Sequence, residues 1–219
     1  MNNITPQLFV DRQKVKENID KMVSKAKKKG VRFRPHFKTH QSAHIGEWFK
    51  DAGVSSITVS TIKMANYFAK NGWNDITVAL PVNILEIEQI NELSKKIQLN
   101  LTVTNKESIE FLKKELNGEV NIYIKVDTGN KRTGIAIENE KEMDEVVEAL
   151  KGDHKLNFKG LMIHSGHTYY ASSTYEIDII HRQSVDQLKQ LRKRYMSYFE
   201  DIELSVGYYA KGYRFLFCR

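Results

Sequence analysis

The 219-residue chain holds one cysteine, Cys218. A single thiol excludes an internal disulfide framework and any cysteine-based zinc site within one chain. It fits a reducing, cytoplasmic setting. Long apolar runs are missing as well. None approaches the roughly 20 residues that a membrane-spanning helix needs. The opening Met1-Asn2-Asn3-Ile4-Thr5-Pro6 has no basic segment followed by an apolar stretch, so no signal peptide is expected. No linker, low-complexity segment or short-period repeat breaks the chain. Secreted disulfide scaffolds and membrane proteins are thereby set aside, and one domain is expected.

What is present is ordinary in bulk. Hydrophobic residues make up 41% and charged residues 28%, the balance of a globular protein with a core of its own. The net charge is +7, with clusters at Lys25-Ala26-Lys27-Lys28-Lys29 and Arg192-Lys193-Arg194. Such runs read as solvated helix faces. No aromatic-basic stacking pattern accompanies them, so no nucleic-acid partner is expected. A positive field can equally draw in anionic small molecules.

The chain alternates short β-branched runs with amphipathic ones. Leu8-Phe9-Val10-Asp11 reads as a short strand. Val15, Ile19, Met22, Val23 and Ala26 then recur at helical spacing until Gly30. Seven further strands are expected, near 31–34, 56–60, 75–80, 99–104, 121–126, 158–163 and 202–206. Helices follow, near 41–51, 62–70, 84–96, 106–116, 140–151 and 175–198. Alternation of this kind argues for a parallel sheet, closed as a (β/α) barrel or open and doubly wound. A barrel needs eight strands, and the count stops about one unit short. Open edges are therefore expected on the first and seventh strands, inviting aggregation or dimerisation.

Polar groups gather just after the strands, where a barrel assembles its chemistry. Arg34-Pro35-His36-Phe37-Lys38-Thr39-His40 follows the first, and Pro35 biases Arg34 away from helix. An amine at such a place can be partly desolvated and freed to attack a carbonyl. Lys125-Val126-Asp127-Thr128-Gly129-Asn130-Lys131-Arg132-Thr133-Gly134 comes after the fifth strand, and His164-Ser165-Gly166-His167-Thr168-Tyr169-Tyr170 after the sixth. Ser205-Val206-Gly207 closes the seventh. His36, His40 and His44 are four apart, but the first belongs to a strand end, so local hydrogen bonding is the preferred reading over a metal stripe. His164 reads either as a ring stacked on a planar cofactor or as a satisfied core histidine.

These segments together resemble the D-threonine aldolase/D-serine dehydratase family, fold-type III pyridoxal 5′-phosphate (PLP) enzymes related to the N-terminal barrel of alanine racemases. The first motif is similar to the family's Arg-Pro-His-x-Lys-Thr-His signature, and 126–134 resembles its Asp-Thr-Gly-x-x-Arg-x-Gly loop. Residues 160–169 resemble its Thr-His-Ala-Gly-His-Ser-Tyr segment, and Thr5-Pro6-Gln7-Leu8-Phe9-Val10-Asp11 its opening. The resemblance implies an alanine-racemase-like (β/α)8 (TIM) barrel, incomplete at its C-terminal end and without the C-terminal β domain. The barrel would cover residues 1–207, with 208–219 a divergent tail. It implies that Lys38 holds PLP as a Schiff base and that Arg132 faces the cofactor's phenolic oxygen. His164 would pack on its ring and Tyr169 contact it, while Ser205 and Gly207 begin the phosphate loop. The substrate would be a D-3-hydroxy amino acid, cleaved to glycine and an aldehyde or dehydrated to an oxo acid and ammonia. A divalent metal (Zn or Mn) is expected for the family, held by residues of the second domain. Pairing as a homodimer is common among such barrels.

The family's loop continues Ser-x-Gly-(Asp/Ser)-Thr-Pro, whereas Tyr208-Tyr209-Ala210-Lys211 follows Gly207 here. A reading-frame shift after Val206 is the expectation. Suitable codons for 207–211 read one base out of frame can spell Asp-Thr-Thr-Pro-Arg, and resequencing this stretch tests it. Little or no lyase turnover is expected from the chain as written. Two other readings stand beside the lyase. One is a barrel-only PLP-binding protein of the PLP-homeostasis kind or an amino-acid racemase relative. The other is an unrelated α/β barrel using its basic surface.

Overall fold

The structure is a computed structural model that describes residues 9–210 and 213–218. Helix α1 (Arg12–Lys28) leads into β1 (Arg32–Phe33), and Gly30 takes the left-handed turn between them at φ 62°. There follow α2 (Ala43–Asp51), β2 (Ile57–Val59), α3 (Ile62–Lys70), β3 (Asp75–Pro81), α4 (Ile87–Ser94) and β4 (Gln98–Val103). The second half holds α5 (Lys106–Glu115), β5 (Val120–Asp127), the short β6 (Ile135–Ala136), α6 (Glu140–Leu150), β7 (Leu156–Ser165), α7 (Thr174–Tyr195), β8 (Glu203–Ala210) and β9 (Tyr213–Cys218). Helix starts are set by side-chain caps. Ser42, Thr61, Asn105 and Ser173 each accept a hydrogen bond from the backbone N–H three residues on, which satisfies an otherwise orphaned donor. No helix of the described residues is long and apolar enough to cross a membrane.

Strands β2, β3, β4, β5, β7 and β8 form one parallel ladder. A parallel bridge from His36 to Thr58 brings the segment after β1 alongside β2. The remaining gap, between β8 and β1, is filled by β9, which runs antiparallel to both. The sheet therefore closes on itself, but the (β/α)8 plan is incomplete, with an antiparallel strand where the last parallel strand belongs. Two expectations are corrected here. The edges of β1 and β8 are paired, because a strand that turns straight back from β8 can reach β1 without a crossover helix. Phe9–Asp11 is not a strand: Asp11 accepts from the Lys14 N–H and caps α1, while Leu8 lies outside the described residues, as does most of the opening motif. Strand β8 also runs across the expected boundary at 207/208.

Strand periodicity decides what lies inside and outside the barrel. Residues Ile57, Val59, Ile76, Val78, Leu99, Leu101, Val103, Ile122, Ile124, Val126, Leu161, Ile163, Leu204 and Val206 point outward and form the hydrophobic core with the helices. Each such burial is worth roughly 1.5–3 kcal/mol. The residues between them are mostly polar and also buried, among them Thr58, Thr77, Asn100, Thr102, Lys125 and Ser205, with Met162 the apolar exception on β7. The interior of this barrel is thus a polar shaft rather than an apolar plug.

At the N-terminal end of the shaft, Glu203 at the start of β8 accepts hydrogen bonds from the hydroxyl of Tyr123 (2.6 Å) and from Arg32, and ion-pairs with Arg34 at 3.4 Å. Arg34 in turn donates to Tyr123 at 3.1 Å, and Arg32 lies 3.8 Å from Asp75. These groups come from β1 and its extension, β3, β5 and β8, the alternate strands around the ring. The network replaces the branched apolar layer that a barrel ordinarily places there. Gly160 permits the approach of β8 to β7, since a Cβ there would sit 1.9 Å from the Glu203 carbonyl oxygen.

Candidate active site

Lys38 rides on a short 3₁₀ turn, Phe37–Thr39, rather than on the strand itself. Its place is fixed by its neighbour. Phe37 is fully buried against Phe49, Phe68 and Trp73, with ring centroids 5.0, 5.0 and 5.1 Å away. His36 accepts from the Lys38 N–H at 3.3 Å, and Gln41 takes φ 48° to start the turn into α2. The buried phenylalanine anchors the turn, and the lysine beside it reaches the barrel mouth exposed.

The loop after β5 is shaped by Asp127. Its carboxylate accepts from the backbone N–H groups of Gly129 (2.9 Å), Asn130 (2.7 Å) and Arg132 (3.2 Å). Gly134, at φ 122°, turns the chain so that β6 pairs back on Val126 and Asp127. A Cβ at Gly134 would lie 2.8 Å from the Val126 carbonyl carbon. Loop and strand together hold Arg132 at the same mouth as Lys38.

His164 is the last residue but one of β7, and Tyr169 lies on the following 3₁₀ turn with its hydroxyl 3.2 Å from the His164 ring nitrogen. Burial first, then the charges of Lys38, Lys125 and Arg132, push the His164 pKa down to about 4, against a backbone hydrogen bond to Gly207. At neutral pH the ring is an uncharged imidazole.

A cavity of about 480 Å³ opens among these elements. Its wall includes Lys38, Arg132, His164, Tyr169 and Gly207, so five of the six expected residues meet there. Ser205 does not line it: it is fully buried two residues below Gly207. Gly207 itself sits within a strand paired on both sides rather than at the start of a loop. The far end is apolar, formed by Val15, Ile19 and Met22 of α1 with Phe33 and Phe49. Among the described residues no aspartate or glutamate lines the cavity. His40 packs on Phe37 and Phe49 and His44 on Trp48, so the three spaced histidines do not converge. Among the described residues no cluster of three possible metal ligands exists.

Lys125, named in the polar run after the fifth strand but given no role there, is part of the wall and 5% exposed. The alternation Ile122-Tyr123-Ile124-Lys125-Val126 puts it on the inward face with Tyr123. Its Nζ donates to the Ala79 carbonyl at 2.5 Å. Burial, then Arg132 and Lys38, lower its pKa from 10.5 to about 8. The unfolded chain therefore holds this proton more tightly, so the penalty is full below about pH 8 and fades as pH rises toward 10.5. At about 1.4 kcal/mol per unit this amounts to ~3 kcal/mol, less ~1 kcal/mol for the lost hydrogen bond. Lys125→Met is accordingly expected to be ~2 kcal/mol more stable than wild type at pH 7, with the gain disappearing near pH 10. Urea unfolding at the two pH values measures it.

A parallel α/β barrel with a cationic cavity at the C-terminal ends of its strands defines the class. Residues 10–205 match the family model described as alanine racemase, N-terminal domain, and the chain belongs to that family. Similar curated proteins are the D-threo-3-hydroxyaspartate dehydratase of Delftia sp. (strain HT23) and the D-serine dehydratase of Dictyostelium discoideum. The first is 29% identical over 80% of this chain and 45% of its own length, the second 28% over 81% and 49%. Among solved structures, the Delftia dehydratase matches with a TM-score of 0.81 at 24% identity, covering 90% of this chain and 52% of that one. D-threonine aldolase from Filomicrobium marinum matches at 0.76 and 20%, over 90% and 53%. The chain spans about half the length of the relatives it matches.

Proposed function

We propose that the cavity binds pyridoxal 5′-phosphate through Lys38 and belongs to a lyase acting on D-3-hydroxy amino acids, of the D-threonine aldolase or D-serine dehydratase kind. The observation that carries this reading is the gathering of Lys38, Lys125, Arg132 and a neutral His164 in one cavity with no carboxylate on its described wall. Such a donor set fits an aldehyde-bearing, anionic, flat cofactor. When bound, PLP supplies an electron sink for negative charge developing at Cα.

The chain's own residues have separate tasks. Lys38 offers the amine that bonds the cofactor, and the buried Phe37 keeps that amine at the mouth. Arg132, a permanent cation on a loop held by the Asp127 hydrogen bonds, would face the phenolic oxygen. The uncharged His164, oriented by Gly207 and Tyr169, would pack on the ring. Gly207, without a side chain, would leave the wall open beside the cofactor, with Ser205 buried two residues below it. The barrel unit through residue 207 is the cofactor-binding part in this reading. A divalent metal would need ligands beyond the described residues, so cofactor attachment is proposed to outrun turnover in this chain alone.

The names of the relatives support the substrate class, since dehydratases of D-serine and D-threo-3-hydroxyaspartate are among them. The test is to add PLP to the purified chain, reduce with borohydride and locate the adduct by peptide mass. A visible Schiff-base band and a stoichiometric adduct on Lys38 are expected. Assays with D-threonine, D-serine and D-alanine, with and without divalent metal, then separate lyase from racemase. An unlabelled Lys38 sinks the proposal.

A further inference from the structure

The cavity has two ends of opposite character. Lys38 and Arg132 both bear on Lys125, so the three cations of the wall share one end. The other end is an apolar arm with no task in the reading above. Val15, Ile19 and Met22 recur at i, i+4 and i+7 along α1 and so form one stripe, which meets Phe33 of β1 and Phe49 of α2. Val23 of the same helix packs on the hydrophobic core, whereas Val15 and Met22 are half-buried against the cavity. Phe49 also packs on Phe37, with ring centroids 5.0 Å apart, so the arm and the anchor of Lys38 share a wall. No charged side chain stands among these five residues, and Asn18 is the polar group that α1 adds to the lining.

We propose that this arm receives the side chain of the substrate, so that the chain selects a D-3-hydroxy amino acid with a bulky apolar group on Cβ. A group entering the arm exchanges water for apolar contacts, which favours binding by about fourfold for each methylene. A carboxylate in the same place would leave water with no cation among the five residues to meet it, and burying an unpaired charge is costly. A bare hydroxymethyl side chain would leave the arm unfilled. The preference therefore sets this chain apart from relatives named for D-serine and D-threo-3-hydroxyaspartate. The inference rests on the cavity holding PLP, as proposed above, and narrows the substrate within that reading.

The probes are reduced phosphopyridoxyl adducts of D-alanine, D-leucine, D-phenylalanine and D-aspartate. These stable secondary amines join cofactor and side chain and bind without Lys38 reacting. Calorimetry with the purified chain, freed of cofactor, gives their affinities. The D-leucine adduct is expected to bind about tenfold or more tightly than the D-alanine adduct, and the D-aspartate adduct no better than that of D-alanine. Val15→Phe, which fills the arm, should bring the leucine-to-alanine ratio to within about twofold. Met22→Ala, which enlarges it, should favour the D-phenylalanine adduct over the D-leucine adduct by about threefold or more relative to wild type. Ratios between probes are read because partial unfolding of a variant weakens all of them alike. Binding without an apolar preference, or a preference that both variants leave intact, overturns the inference alone. Failure of every adduct to bind sinks the cofactor reading and this inference with it.

Discussion

Glu203→Ala is expected to destabilise the fold by about 3–5 kcal/mol, the usual cost of breaking a buried ion pair from one side. Arg34 is 1% exposed, and in this variant it would keep its charge without the carboxylate that faces it at 3.4 Å. Tyr123 would lose its acceptor at 2.6 Å and Arg32 its contact across the ring. The loss also falls at the start of β8, the strand next to the antiparallel closure. Replacing the pair together, Arg34→Met with Glu203→Leu, should recover most of the loss, because neither desolvated charge then remains. Urea midpoints of Arg34→Met, Glu203→Leu and the double variant give the coupling directly. Additive losses would mean that the carboxylate and guanidinium act independently.

That network shows what could and could not be read from the chain. The outward rows Leu99-Leu101-Val103 and Ile122-Ile124-Val126 announce strands through period-two apolarity, and the caps at Ser42, Thr61 and Ser173 set helix starts within a residue or two of expectation. Alternation with helices then forces a parallel sheet, which carries the polar ends of four strands to one side. This is why five of the six expected site residues share a cavity. The inward rows are less legible, because Thr58, Asn100 and Tyr123 look like ordinary solvent-facing positions until the sheet closes around them. For that reason the run after the fifth strand shows Lys125 without showing its role.

The closure itself was missed because β9 answers to no helix. The register pairs Ala210 with Tyr213, so β9 lies antiparallel beside β8 with no helix between them, an arrangement that a search for the next strand-helix unit passes over. The short run Arg32–Phe33 likewise gives no sign that Lys38 lies on a 3₁₀ turn, since that depends on Phe37 finding Phe68 and Trp73.

Lys38→Ala is expected to abolish covalent capture of PLP, with no visible Schiff-base band and no reducible adduct at the cavity. The same substitution should leave stability within about 0.5 kcal/mol, as for a surface position. Lys38 is exposed, and its turn is fixed by the burial of Phe37 and by a backbone hydrogen bond to His36 that alanine retains. Capture and stability therefore separate at this residue, whereas at Glu203 only stability is at stake. Lys38→Arg is the sharper variant. It keeps the positive charge that lowers the proton affinity of Lys125 and His164, but guanidinium is not a nucleophile at accessible pH. Loss of the adduct in both variants locates the reacting amine. Solvent-exposed lysines elsewhere provide a background of slow labelling, so the adduct must be counted by peptide. An undiminished adduct that moves to Lys125 would show that the floor amine, already lowered to about 8, is the nucleophile and that Lys38 is not.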